Sequence, residues 1–102
     1  MTPIDEIAAE RRRQIQEEGW TTDHDDQHIR GEMATVAALY AMPPRHSVNL
    51  LEYIFPASWD RYAWWKPKTR RRDLIRAGAL IVAEIERMDR RAKRAEARDA
   101  GV

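Results

Sequence analysis

Cysteine is absent from this 102-residue chain, so neither a disulfide nor a thiolate-held metal site is open to it, as suits a reducing compartment. No apolar run is long enough to cross a bilayer. The opening Met1-Thr2-Pro3-Ile4-Asp5-Glu6 is acidic and lacks the apolar segment of a signal peptide. Glycine occurs four times and nowhere as a phosphate-binding loop, and no serine sits in a setting that would activate it as a nucleophile. Net charge is also nearly absent: the formal value is +1 although 34% of residues are charged. A global basic field for nucleic acid or anionic lipid is therefore missing, and nucleic acid and membrane are not expected partners. The expected localisation is the cytoplasm.

What is present is concentrated. Residues 17–32 hold six acids, two histidines and Trp20. Four tryptophans is a high count for this length, and Trp59, Trp64 and Trp65 fall within seven positions. The length suits one domain with one modest core.

The periodicity predicts an all-α fold, a small bundle of three main helices plus a short helix and an aromatic-rich loop. The first helix is expected over Pro3 to Glu18, with Thr2 as N-cap, Pro3 in the first turn, Asp5 closing a T-x-x-D box and Gly19 ending it. Ile4, Ile7, Ala8 and Ile15 form its apolar stripe, which Arg11 and Glu18 share. A charge on an inward face needs a partner or a ligand, so Arg11 reads either as a stem lying over the core with its head in water, or as a side chain facing the acidic segment that binds an anion or holds a carboxylate in place. Trp20 reads as a core anchor in the turn that follows, with base stacking as the other reading.

The second helix is expected over Asp25 to Ala41, stopping before Pro43-Pro44. It would align Asp25, His28 and Glu32 along one edge beside an apolar stripe of Ile29, Met33, Val36 and Tyr40. Such an edge suits a cation or acid/base chemistry, and His24 with His28 has the i, i+4 spacing that can bind a transition metal. A helix start is the plainer account of the same acids. A short helix is expected within His46 to Phe55. Beyond it, Trp59, Arg61, Tyr62, Trp64, Trp65 and Lys66 interleave aromatic faces with cations, a pattern that stacks a base and holds phosphates, or that caps a small core.

The last helix is expected from Thr69 or Arg70 to the mid-nineties, with Leu74, Gly78, Ile81, Val82, Ile85 and Met88 as its core stripe and residues 91–102 as an exposed tail. Arg70 and Arg71 oppose the helix dipole at its first turn and need an anionic ligand or acidic neighbours.

Glu18-Gly19-Trp20-Thr21, Asp25-Asp26, His28, Gly31-Glu32, Trp64-Trp65-Lys66-Pro67, Arg71-Arg72-Asp73-Leu74 and Ala83-Glu84-Ile85-Glu86-Arg87 together resemble a group of small phage and prophage proteins of unassigned function. Glu18-Gly19-Trp20, Asp25-Asp26, His28 and Asp60-Arg61 resemble the RyR domain, a helical module in which nucleotide-derived ligands are bound or suspected. The carboxylates Asp25, Glu32, Asp73 and Glu84 invite comparison with MazG-like all-α nucleotide pyrophosphohydrolases, which hold magnesium with acids on packed helices.

The preferred expectation is a binder of a nucleotide-derived, phosphate-bearing small molecule that needs no cofactor. Its ligand-binding set is Arg11, Trp20, Asp25, His28, Glu32, Arg61, Tyr62, Trp64, Trp65, Lys66, Arg70 and Arg71. In a phage such a protein would act in the host cytoplasm and sequester a host immune signal. The enzymatic alternative places Mg on Asp25, His28, Glu32, Asp73 and Glu84. A third expectation is an adaptor that binds another protein through the aromatic loop. Self-association into a homo-oligomer is expected in each case.

Overall fold

The computed structural model describes residues 1–43, Phe55 and residues 65–101. The short helix expected within His46 to Phe55 and the calls on Trp59, Arg61, Tyr62 and Trp64 lie outside the described residues, Phe55 excepted. The fold is all-α, and no strand occurs among the described residues. Four helices are described: α1 (Pro3–Gln16), α2 (Thr22–Asp26), α3 (Glu32–Ala41) and α4 (Arg70–Ala100). None is long and apolar enough to cross a membrane.

α1 starts as its sequence dictates. Thr2 Oγ1 accepts the Asp5 N–H at 3.2 Å and the Asp5 carboxylate accepts the Thr2 N–H at 2.9 Å, so two end-of-helix donors are satisfied reciprocally. Gly19, at φ +74°, turns the chain so that the Trp20 N–H reaches the Gln14 carbonyl at 3.0 Å. α4 starts on Thr69, whose hydroxyl accepts the Arg72 N–H at 3.2 Å, while Asp73 accepts the Lys68 N–H at 2.8 Å.

The helix expected over Asp25 to Ala41 is two helices. α2 ends at Asp26, and the chain then turns through residues 27–31 with Gly31 in the left-handed region at φ +79°. A residue with a Cβ is strained there, so Gly31 is where the break falls. Ile29, expected in the core, belongs to this turn and is exposed.

α3 is the central element. Met33, Val36, Ala37, Leu39 and Tyr40 are all buried, and it packs mainly on α4. The core cluster joins Trp20, Met33, Val36, Ala37 and Tyr40 to Ala77, Leu80 and Ala83 of α4, with Phe55 and Trp65 against its edge. Small residues at Ala37, Ala77 and Ala83 allow close approach of the two helices.

The inward faces of α1 and α4 differ in part from those expected: Arg11 is inward as read and Ile7 meets Gly78, but most of the aliphatic stripe is not inside. α1 buries Glu10, Arg11 and Gln14, whereas Ile4 and Ile15 are exposed. α4 buries Asp73, Ile75, Ala77, Ala79, Leu80, Ala83 and Arg87, whereas Leu74, Ile81, Val82, Ile85 and Met88 are exposed. The reason is that α1 and α4 are joined by ion pairs, Glu6 to Arg71, Glu10 to Arg72 and Arg11 to Glu86. Glu10 and Arg11 are thereby buried with partners, while the Glu6–Arg71 pair lies near the surface, and most of the large aliphatics are left on another face.

Candidate functional site

Arg11 organises the acidic segment. Its Nη2 lies 2.5 Å from Asp25 Oδ2, its Nε lies 3.2 Å from Glu86 Oε1, and its Nη1 donates to the Trp20 carbonyl at 3.4 Å. Both Arg11 and Asp25 are buried. Arg11 thus ties α1 to α2, to α4 and to the intervening turn, and of its two sequence readings it follows the one in which it holds a carboxylate. Asp26, the next residue, points the other way, to Arg90 at 2.8 Å and Arg94 at 3.1 Å on α4. Hydrogen bonding from Arg90 holds its carboxyl below the ordinary value, burial opposes this, and Arg94 adds to the lowering.

Asp25, His28 and Glu32 are brought together without sharing a helix. The His28 N–H donates to the Asp25 carbonyl at 3.0 Å, and His28 Nδ1 lies 3.2 Å from Glu32 Oε2. Glu32 Oε1 accepts the Arg30 N–H at 2.5 Å. His24 stands beside them, with Nδ1 3.2 Å from Asp25 Oδ1 and Nε2 3.5 Å from His28 Nε2, and its ring stacks on Trp20. Burial lowers the His28 pKa, the Glu32 hydrogen bond opposes that, and the like charge of His24 reinforces it. Which ring donates in the Nε2–Nε2 contact depends on the two tautomers.

The remaining metal candidates are not gathered here. Asp73 caps the start of α4, and Glu84, three turns along, accepts from Arg87 at 2.5 Å. Eleven residues of helix separate them by roughly 16 Å. Among the described residues no three His, Asp or Glu side chains form a metal-holding group.

A polar hollow lies between α1, α3, α4 and the segment that enters α4. Trp20, Tyr40 and Leu80 give its apolar walls, and Glu10, Arg13, Gln14, Glu18, Lys66 and Arg76 its polar ones. Its volume is about 10 Å³, room for about one water. Among the described residues, buried Gln14 Oε1 and Arg76 Nε, atoms of two lining residues, have no hydrogen-bond partner, one an acceptor and the other a donor. Trp65 is half-buried, 4.9 Å from the Tyr40 ring, and the Lys66 N–H donates to Tyr40 Oη at 2.8 Å. Arg76 lies 5.9 Å over the Tyr40 ring and donates to the Lys66 carbonyl. Lys66 Nζ closes the rim on Glu18 at 3.1 Å. For Glu10 and Glu18 burial pushes the carboxyl up, but Arg13, joined by Arg72 at Glu10 and by Lys66 at Glu18, outweighs it and leaves both below the ordinary value.

The arginines at the head of α4 have partners within the fold. Arg70 donates to the carbonyls of Tyr40, Ala41 and Met42, the negative end of α3, at 3.4, 2.5 and 2.7 Å. Arg71 pairs with Glu6 and Arg72 with Glu10. These contacts supply the acidic neighbours that cations in a first turn require.

The structure therefore joins Trp20 and Lys66 at one hollow, packs Trp65 on its Tyr40 wall, sets Arg11, Asp25, His28 and Glu32 in an adjoining network, and sends Arg70 and Arg71 outward to helix ends. Glu10, Arg13, Gln14, Tyr40 and Arg76 were not singled out as site residues. The spacing of Glu10, Arg13 and Gln14 (i, i+3, i+4) was the available signal, a polar strip that reads as solvated until α4 is placed against it. Compared with known proteins, the chain matches no family model, no curated protein and no solved structure.

Proposed function

We propose that this chain binds a nucleotide-derived, phosphate-bearing small molecule at the hollow lined by Trp20, Tyr40, Lys66 and Arg76, next to Trp65. The observation that carries the reading is one cavity lined by the aromatic faces of Trp20 and Tyr40 together with three cations, Arg13, Lys66 and Arg76. Water fills a hollow of this size, and a nucleotide requires it to open. The hinge of that opening is the Lys66–Glu18 pair, in which Lys66 is 42% exposed and the bond correspondingly weak. Released, Lys66, Arg13 and Arg76 present positive charge to phosphate while Trp65 offers a ring to a base. The resemblance to small phage proteins and to the RyR domain supplies the setting, sequestration of a host immune signal. The magnesium-dependent alternative has no comparable support.

Thermal denaturation with a panel of mono-, di- and cyclic nucleotides, without magnesium, tests this. A ligand at a hundred times its Kd adds about 2.7 kcal/mol. That gain should disappear in Trp65→Ala and in Lys66→Ala. If the whole panel leaves the wild type unmoved, or if both variants keep the full gain, the reading is wrong.

A further inference from the structure

The face of α1 and α4 that the fold leaves uncovered is the most apolar surface among the described residues. On α4, Leu74, Ile81, Ile85 and Met88 are 44%, 48%, 52% and 56% exposed. With Gly78, against which Ile7 of α1 packs, their spacing alternates four and three, so these side chains share one face of α4 with the α1 contact. Beside this stripe an open groove of about 380 Å³ runs between the two helices, with Val82 on one side and Ile4, Ala8 and Ile15 on the other. Gly78 lets α1 come close here, since a Cβ at that position would lie 2.8 Å from Ile7 Cδ1.

We propose that a second copy of this chain covers this face, giving a two-fold dimer in which α1 and α4 of each copy form one layer. Area is the first argument. The exposed large aliphatics amount to roughly 600 Å², as large as the largest patch on an ordinary monomer and close to the roughly 800 Å² that each partner contributes to a stable interface. Shape is the second: a helical ridge alongside a groove on the same surface is self-complementary when turned about a two-fold axis. A net charge of +1 adds little repulsion between copies. This inference does not rest on the nucleotide reading.

Light scattering and sedimentation of the full chain from about 1 µM to about 1 mM decide it. The expected mass is twice the 12.0 kDa of the chain. Ile81→Glu combined with Ile85→Glu should give a monomer with unchanged helical circular dichroism, because neither side chain lies in the fold's own core. Ile29→Glu, at an exposed position away from this face, should stay dimeric. If the double variant unfolds, Ile85→Ala decides instead, through a dimer dissociation constant raised at least about tenfold. A wild type that stays at the mass of one chain, as when residues 44–64 or another protein cover the face, overturns the proposal. So does a dimer that the variants on this face leave intact.

Discussion

The Arg11 guanidinium and the Asp25 carboxylate meet at 2.5 Å, each buried, one on α1 and the other on α2. Next to Asp25 in sequence, Asp26 makes its ion pairs near the surface. The two neighbours therefore differ in what their loss costs. Asp25→Ala should destabilise by about 1–3 kcal/mol, since it removes the buried carboxylate and leaves the Arg11 guanidinium only Glu86 and the Trp20 carbonyl. Asp26→Ala should cost less than about 1 kcal/mol, and that cost should shrink further in 1 M salt. Urea denaturation of both variants, with and without salt, checks the contrast.

Stability should fall in two steps as pH is lowered. His28 has a folded pKa below its ordinary value near 6.5, so around pH 6 the unfolded chain binds more protons than the folded one. Acidification through about 6.5 therefore favours unfolding, and the loss levels off below the folded value. Glu10, Glu18 and Asp26 are held below their ordinary values, so their contribution is full above about 4.5 and disappears as pH drops through the folded values. In His28→Gln the step near neutrality should vanish while the acid step remains. Denaturation midpoints across pH 3 to 8 would show otherwise if the upper step persists.

Tyr40→Phe should cost about 1 kcal/mol, because it leaves the Lys66 N–H without its acceptor while keeping the ring against Trp65. Loosening of the segment around Trp65 should also change tryptophan emission. An unaltered spectrum and unaltered stability would mean that this hydrogen bond contributes nothing.

Gly78→Val should destabilise by about 1–3 kcal/mol despite replacing a helical glycine, since its Cβ meets Ile7 Cδ1 at 2.8 Å and Cγ1 at 3.0 Å. Adding Ile7→Ala should recover part of the loss. The double variant's urea midpoint checks this, and no recovery would place the strain elsewhere.

Much of the secondary structure was legible because it is set by contacts a few residues apart. Thr2 with Asp5, and Thr69 with Arg72, cap helices where the residue types said they would. Trp20 joins the core, as its place in a tight turn implied. The break before α3 was harder to see. Asp25 to Glu32 carries a helical pattern, and Gly31 interrupts it only because the chain adopts a left-handed conformation there. Of the candidate site, the sequence placed Trp65 and Lys66 together but did not bring Gln14 and Arg76 to the hollow.

The local order of residues determined that this chain is helical, where α1 and α4 begin, and which residues are chemically able to act. Tertiary structure decided which side of each helix faces inward. A helical repeat defines a stripe, but whether that stripe is inside depends on what comes to lie against it. Here Glu10 and Arg11 are answered by Arg72, Asp25 and Glu86, most of them more than sixty residues away, and charges answered in this way can be buried while leucine and isoleucine remain outside.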